Sequence, residues 1–322
     1  MRAHAGGGAF LEVAGNSSEK QTIVVDRTKL PPANVFPSLP SAQSNVSDPV
    51  YLTKMGLDDV TPNALGRQRH VNMDKTFNAL ADTIFRDSYL SPRSPYTTLE
   101  IPKQGMGDWC VPSLTANIED AGLRRTIRDH VFDTGIGVTF RSPAQGFNVA
   151  YTSLWDNYPD SLSFALDGKA RWAYLMLVGS TNNMQSRIDN AVITVTYRDG
   201  SQDTLPLYNP INWCPIEQDY FYDDYAYWSA PVHPYRIHLG SGIVSRALKV
   251  ALAGKFVDDG SGVHTSDLTS ANTPIAQGLG IPDGAAMMLK MPLNPKKKLR
   301  SLQLRTLSND VVVGLMGITL EK

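Results

Sequence analysis

Cysteine is nearly missing from this chain: two in 322 residues, Cys110 and Cys214. That is too few for a disulfide scaffold, and a chain of this length does not need one, since folding buries about 75% of its extended surface. Each cysteine directly follows a tryptophan (Trp109, Trp213), and neither belongs to a CxxC pair, so a structural zinc site is not indicated. Two free buried thiols and one bridge both remain open. Long apolar runs are also missing. The longest, residues 172–178, falls far short of the roughly 20 residues a membrane helix requires. Residues 1–8 carry no apolar centre of a secretory signal. Either the protein stays inside, or a signal has been removed with upstream sequence. Charge of one sign is lacking too: 30 basic residues face 31 acidic ones, for a net charge of −1. No general attraction to nucleic acid or anionic membrane follows. P-loop, GxGxxG, GxSxG and HExxH signatures are all missing, as are βαβ alternation and any solenoid period.

What is present is a globular composition, 42% hydrophobic and 19% charged, which excludes a wholly disordered chain. The length suits two domains, or one large β domain with an extension. Residues 1–95 read as that extension. Residues 9–13 and 21–25 predict two short strands around a polar turn at Asn16-Ser17-Ser18. Strands opening so close to residue 1 suggest a chain cut from something longer. Prolines at 31, 32, 37, 40, 49 and 62 then forbid regular structure. Phe77, Leu80, Ala81 and Ile84 recur at helical spacing and predict one short helix over residues 72–85.

Residues 96–322 turn to β. Short strand-like runs occupy 97–101, 137–140, 149–153 and 161–166, and residues 171–178 read as a strand buried on both faces. Residues 192–197 alternate, and Asp199-Gly200 predicts a hairpin returning through 204–207. Residues 244–252, 286–291, 299–307 and 311–320 supply the remainder. Strands and turns at this spacing predict an all-β fold, an antiparallel β-sandwich of jelly-roll type.

One stretch differs from the rest. Between Tyr208 and Tyr235 the aromatics are Tyr208, Trp213, Tyr220, Phe221, Tyr222, Tyr225, Tyr227, Trp228 and Tyr235, and no Lys or Arg occurs from Asp199 to Tyr235. Four prolines make this a long loop, and long loops in compact domains often carry function. Trp155-Asp156-Asn157-Tyr158 repeats the mixture elsewhere. Pyranose rings stack their C–H faces on Trp and Tyr, while their hydroxyls seek Asp, Glu and Asn. Trp155, Asp156, Asn157, Tyr158, Trp213, Tyr220, Tyr222, Tyr225 and Trp228 are therefore the candidate ligand-binding residues. The plainer reading is that these aromatics pin a loop onto the sandwich.

Acids in the same stretch, Glu217, Asp219, Asp223 and Asp224, are weak catalytic candidates, since a glycosidase needs two carboxyl groups about 5 to 10 Å apart. Solvated loop charge is the plainer reading of these acids. His233 and His238 flank Arg236 and could join an acid–base set. No cofactor is indicated, although Asp258-Asp259-Gly260 is an oxygen-rich turn that would suit structural calcium. The basic run Lys296-Lys297-Lys298 with Arg300, and the group Arg124, Arg125 and Arg128, lack interleaved aromatics, so nucleic acid is not an expected partner.

Strings such as residues 155–160, Gly179-Ser180-Thr181-Asn182, Tyr197-Arg198-Asp199-Gly200, residues 209–220 and 304–310 resemble the C-terminal region of large, poorly characterised proteins from polysaccharide-degrading gut bacteria. The resemblance spans residues 96–322. It implies a galactose-binding-like sandwich acting in periplasmic or extracellular glycan breakdown, as an appendage to a longer chain, and supplies no catalytic residues. The expected function is a non-catalytic carbohydrate-binding or accessory module whose partner is a glycan or a neighbouring catalytic domain. The alternatives are a glycoside hydrolase using the loop carboxylates and a structural docking domain.

Overall fold

The computed structural model of the chain describes residues 10–13, 21–24, 48–62, 65–93, 99, 101–106, 115–181, 185–219, 232–253 and 280–322. It forms two compact units, Met1–Asn45 and Val46–Lys322. In the first unit, β1 (Phe10–Val13) and β2 (Gln21–Val24) form the expected antiparallel hairpin, with Phe10 opposite Val24.

The second unit is all-β and antiparallel. One sheet has four strands: β7 (Ser161–Ala165), β9 (Asp189–Tyr197), β10 (Gln202–Tyr208) and β14 (Leu299–Thr306), in the order β10-β9-β14-β7. The larger sheet runs β12 (Val244–Ser245), β11 (Tyr235–His238), β13 (Ala285–Pro292), β8 (Trp172–Thr181), β15 (Val311–Glu321), β3 (Gln68–His70), with β6 (Ala150–Ser153) also paired to β15. A separate hairpin joins β4 (Val131–Asp133) to β5 (Thr139–Arg141). The Asp199-Gly200 turn does join β9 to β10, with Gly200 at φ 86°.

Period-two alternation explains why the large sheet is covered twice. Leu175 and Leu177 of β8, Leu289 of β13 and Val313 of β15 face Ile193, Val195, Leu302 and Leu304 of the small sheet in one core. Their neighbours Tyr174, Met176, Met288, Val312 and Met316 point the other way into a second core with Ile84, Phe85, Leu123, Phe132 and Phe140. The uninterrupted apolar run of β8 is the sequence mark of this double burial. The second cover comes from residues expected to lie outside the sandwich, and β3 extends the sheet itself by pairing Gln68–His70 with β15.

Three local expectations fail. The prolines of residues 30–62 do not exclude a helix: α1 (Pro49–Lys54) begins on Pro49, where a missing N–H costs no helical bond, and Asp48 caps it by accepting from the Val50 amide. Over residues 72–85 only α2 (Thr83–Arg86) is helical. Asn78 explains the departure: its side chain donates to the Tyr151 carbonyl at 3.0 Å and accepts from the Tyr151 amide at 2.9 Å, drawing the chain alongside β6. Asparagine competes with helical hydrogen bonding in this way. Residues 244–252 do not form one strand either. After β12, the four-residue spacing of Leu248 and Leu252, with Ala251 between them, favours a helix, α4 (Leu248–Ala253), which follows α3 (Ala121–Thr126) in chain order. The run at 97–101 lies largely outside the described residues.

Candidate functional site

The proposed aromatic platforms divide on inspection. Trp213 is fully buried, and its Nε1–H donates to Asn190 Oδ1 at 3.0 Å. This corrects the sequence expectation, because an enclosed indole presents no face to a sugar. Tyr158 is buried as well, its ring 5.5 Å from that of Tyr151; burial pushes its hydroxyl well above the ordinary tyrosine range, with Asp87 adding to the shift. Trp155 is half-buried and meets Tyr89 edge-on at 5.7 Å. Asp156 is exposed and pairs with Arg93 at 3.3 Å, while Asn157 accepts from the Leu90 amide at 2.6 Å and donates to the Ser88 carbonyl at 3.1 Å. Arg93 also donates to the carbonyls of Ser153, Trp155 and Tyr158. Asp156, Asn157 and three carbonyls of this loop thus fasten it to residues 88–93, while the buried Trp155 Nε1 has no hydrogen-bond partner among the described residues.

Among the acids, Glu217 is fully buried and accepts from Ser180 Oγ at 2.7 Å; Asp219 is also buried. Neither reaches an open cleft described below. His238 is a structural histidine: Nε2 lies 2.8 Å from the Pro282 carbonyl and Nδ1 2.8 Å from Ser241 Oγ. Arg236 is enclosed and donates to the carbonyls of Gln218, Pro215 and Ala285. Tyr220, Tyr222, Tyr225, Trp228, Asp223, Asp224, Asp258, Asp259 and Cys110 lie outside the described residues. Among the described residues, no group of three or more His, Cys, Asp or Glu is arranged to hold a metal ion, and no helix is long and apolar enough to cross a membrane.

A cleft does occur, at residues that form no motif along the chain. Leu80, Asp82, Arg86, Gln104, Asn117, Ile118, Glu119, Asp120 and Ala121 enclose about 420 Å³, within the 300–1,000 Å³ or so of small-molecule sites. Three segments build it. The first is α2 with its preceding turn, where Leu80 N donates to Thr83 Oγ1 at 3.0 Å and Asp82 pairs with Arg86. The second is held by Gln104, whose amide donates to the Ile118 carbonyl at 3.0 Å and accepts from the Ile118 amide at 3.2 Å, as a strand neighbour would. The third is the start of α3. There Asp120 accepts from Arg124 Nε and Nη2, at 2.7 and 2.9 Å, and from Asn148 Nδ2 at 2.8 Å. Between these fixed walls Glu119 and Asn117 are exposed, and Leu80 leaves 37% of its surface in water.

No protein-family model, curated protein or solved structure matches the chain. The chemistry of the cleft therefore rests on its own groups. Carboxylates of Asp82, Glu119 and Asp120 accept hydrogen bonds, Arg86 and Asn117 donate them, and Leu80, Ile118 and Ala121 add apolar surface. Such a lining suits a compact ligand with many hydroxyls. Sequence reasoning missed it because its residues come from three separated segments and form no local motif.

Proposed function

We propose that this chain is a non-catalytic carbohydrate-binding or accessory module serving polysaccharide breakdown in the periplasm or outside the cell. The observation that carries the reading is the cleft at Asp82, Asn117, Glu119 and Asp120. Its acceptors and donors converge over apolar surface, and Arg86 and Arg124 hold two of the three carboxylates in place. A sugar hydroxyl both donates and accepts, so paired carboxylate and amide groups match it, and the exposed Leu80 edge matches a ring's C–H face. The burial of Glu217 and Asp219 weighs against the alternative in which those two acids cleave a glycosidic bond.

The test is an affinity-gel screen of the purified chain on plant and host polysaccharides, with reducing-end release followed in the same samples. Retention on a neutral glycan that drops about tenfold in Asn117→Ala and Glu119→Gln, each losing a charged or amide contact, is the expected result. Undiminished retention in both variants would overturn the cleft assignment. New reducing ends would overturn the non-catalytic reading.

A further inference from the structure

A second concavity has the opposite chemistry. It lies between α1, the β10 strand and the turn that follows β13, and its volume is about 700 Å³. Lys54 and Lys296 are the cations on its lining, Val50, Pro292 and Pro295 supply apolar surface, and Thr204 adds a hydroxyl. Val50 is 74% exposed, while Tyr51 and Leu52 of the same helix pack partly buried against the core.

The turn is built to hold Lys296 at this place. Asn294 N donates to the Tyr197 hydroxyl at 2.7 Å, and Asn294 Oδ1 accepts from Lys296 N at 3.0 Å. Tyr197 in turn donates to Asp203, the one carboxylate on the lining. The neighbouring Lys297 is spent on structure, 3.0 Å from Asp199 and 2.6 Å from Ser201 Oγ. Lys54 and Lys296 differ from it: both are exposed, and neither forms an ion pair with a carboxylate among the described residues. Within the basic run, Lys297 thus ties the hairpin and Lys298 is exposed outside the groove, while Lys296 faces the groove together with Lys54, which lies far from it in the sequence.

We infer that this groove binds the anionic substituent of an acidic polysaccharide, a carboxylate or a sulfate ester, with Lys54 and Lys296 as its paired cations and Val50, Pro292 and Pro295 beneath the sugar ring. The inference rests on the carbohydrate reading above and names a ligand class for a separate surface. Two lysines on a groove lined by valine, proline and threonine suit a sugar chain better than a nucleic acid, which would call for a longer basic track with stacking aromatics.

Affinity gels cast with polygalacturonate, dextran sulfate or neutral dextran provide the test. Wild type is expected to be retarded by an acidic polymer, less so as salt rises, and which polymer retards it separates the carboxylate from the sulfate source. Lys54→Gln and Lys296→Gln should each weaken retention about threefold and together about tenfold, while Lys298→Gln, the same loss of charge as either single variant but outside the groove, should leave it within about twofold. Retention by neither acidic polymer would overturn the inference, as would an equal loss from Lys298→Gln. Acidic retention that survives Glu119→Gln but not the groove double variant upholds the groove even if the cleft reading falls. Retention by neutral glycans alone sinks the groove and leaves the cleft standing.

Discussion

Trp213 and Asn190 are joined by a 3.0 Å hydrogen bond from the indole nitrogen to the amide oxygen, both residues fully buried. Asn190 in turn donates to the Gln185 carbonyl at 2.8 Å, so the indole is fastened to the start of β9 as well as packed between the sheets. Trp213→Ala is expected to cost about 3 to 5 kcal/mol through the cavity it leaves. Trp213→Phe, which keeps most of the volume but strands the Asn190 oxygen, should cost about 1 to 3 kcal/mol. Urea midpoints of the two variants check both values, and an alanine variant as stable as wild type would refute the core assignment.

The backbone beside this tryptophan allows no substitution. Gly179 has φ 150°, and a Cβ there would lie 2.1 Å from the Val312 carbonyl oxygen and 2.9 Å from Trp213 Cη2. The first obstacle is backbone of the central β8–β15 pairing and cannot swing aside. Gly179→Ala should therefore destabilise by about 3 kcal/mol or more. A melting temperature unchanged from wild type would show that the two central strands separate more readily than their register implies.

How far the sequence reveals this architecture depends on whether the deciding interaction is local. The β8 strand was legible because a run buried on both faces leaves an unbroken apolar stretch, and the β9–β10 hairpin because Asp199-Gly200 specifies its own turn. Residues 72–82 were misread because Asn78 bonds to Tyr151, far along the chain; nothing within the helical spacing of Phe77, Leu80 and Ile84 reports such a partner. Trp213 illustrates the same gap. An aromatic beside polar residues in a proline-rich stretch reads alike whether its ring faces water or Gly179. The cleft lining was illegible for a related reason, since Gln104 meets Ile118 by side-chain mimicry of a strand and leaves no periodic trace.

Stability should fall as acidity rises, and His238 supplies the sign. Burial lowers its pKa below the ordinary histidine value of 6.5, opposed by the Pro282 carbonyl and Asp283. His70 is lowered too, chiefly by burial and then by Arg141. A histidine whose folded pKa is depressed binds fewer protons folded than unfolded, so stability is retained above the unfolded pKa and lost as pH drops through 6.5 toward the folded value. Unfolding midpoints measured from pH 7.5 down to 5 should decline. His238→Gln, which can still donate to Pro282 but does not titrate, should flatten part of that decline. A slope unchanged in the variant would assign the loss to other groups.

The two acids at the mouth of α3 should separate stability from binding. Asp120 holds Arg124 through two hydrogen bonds and Asn148 through a third, with both ion-pair side chains mostly buried. Removing one member of such a pair leaves the others without their partner, so Asp120→Ala should cost about 1 to 3 kcal/mol and loosen the wall that carries Glu119. Glu119 is exposed and touches no ion-pair partner among the described residues. Glu119→Gln should change stability by no more than about 0.5 kcal/mol while weakening glycan retention. Urea denaturation and affinity electrophoresis on the same preparations resolve the two effects. If Glu119→Gln proves as destabilising as Asp120→Ala, the exposed carboxylate is part of the framework and the cleft loses its principal acceptor.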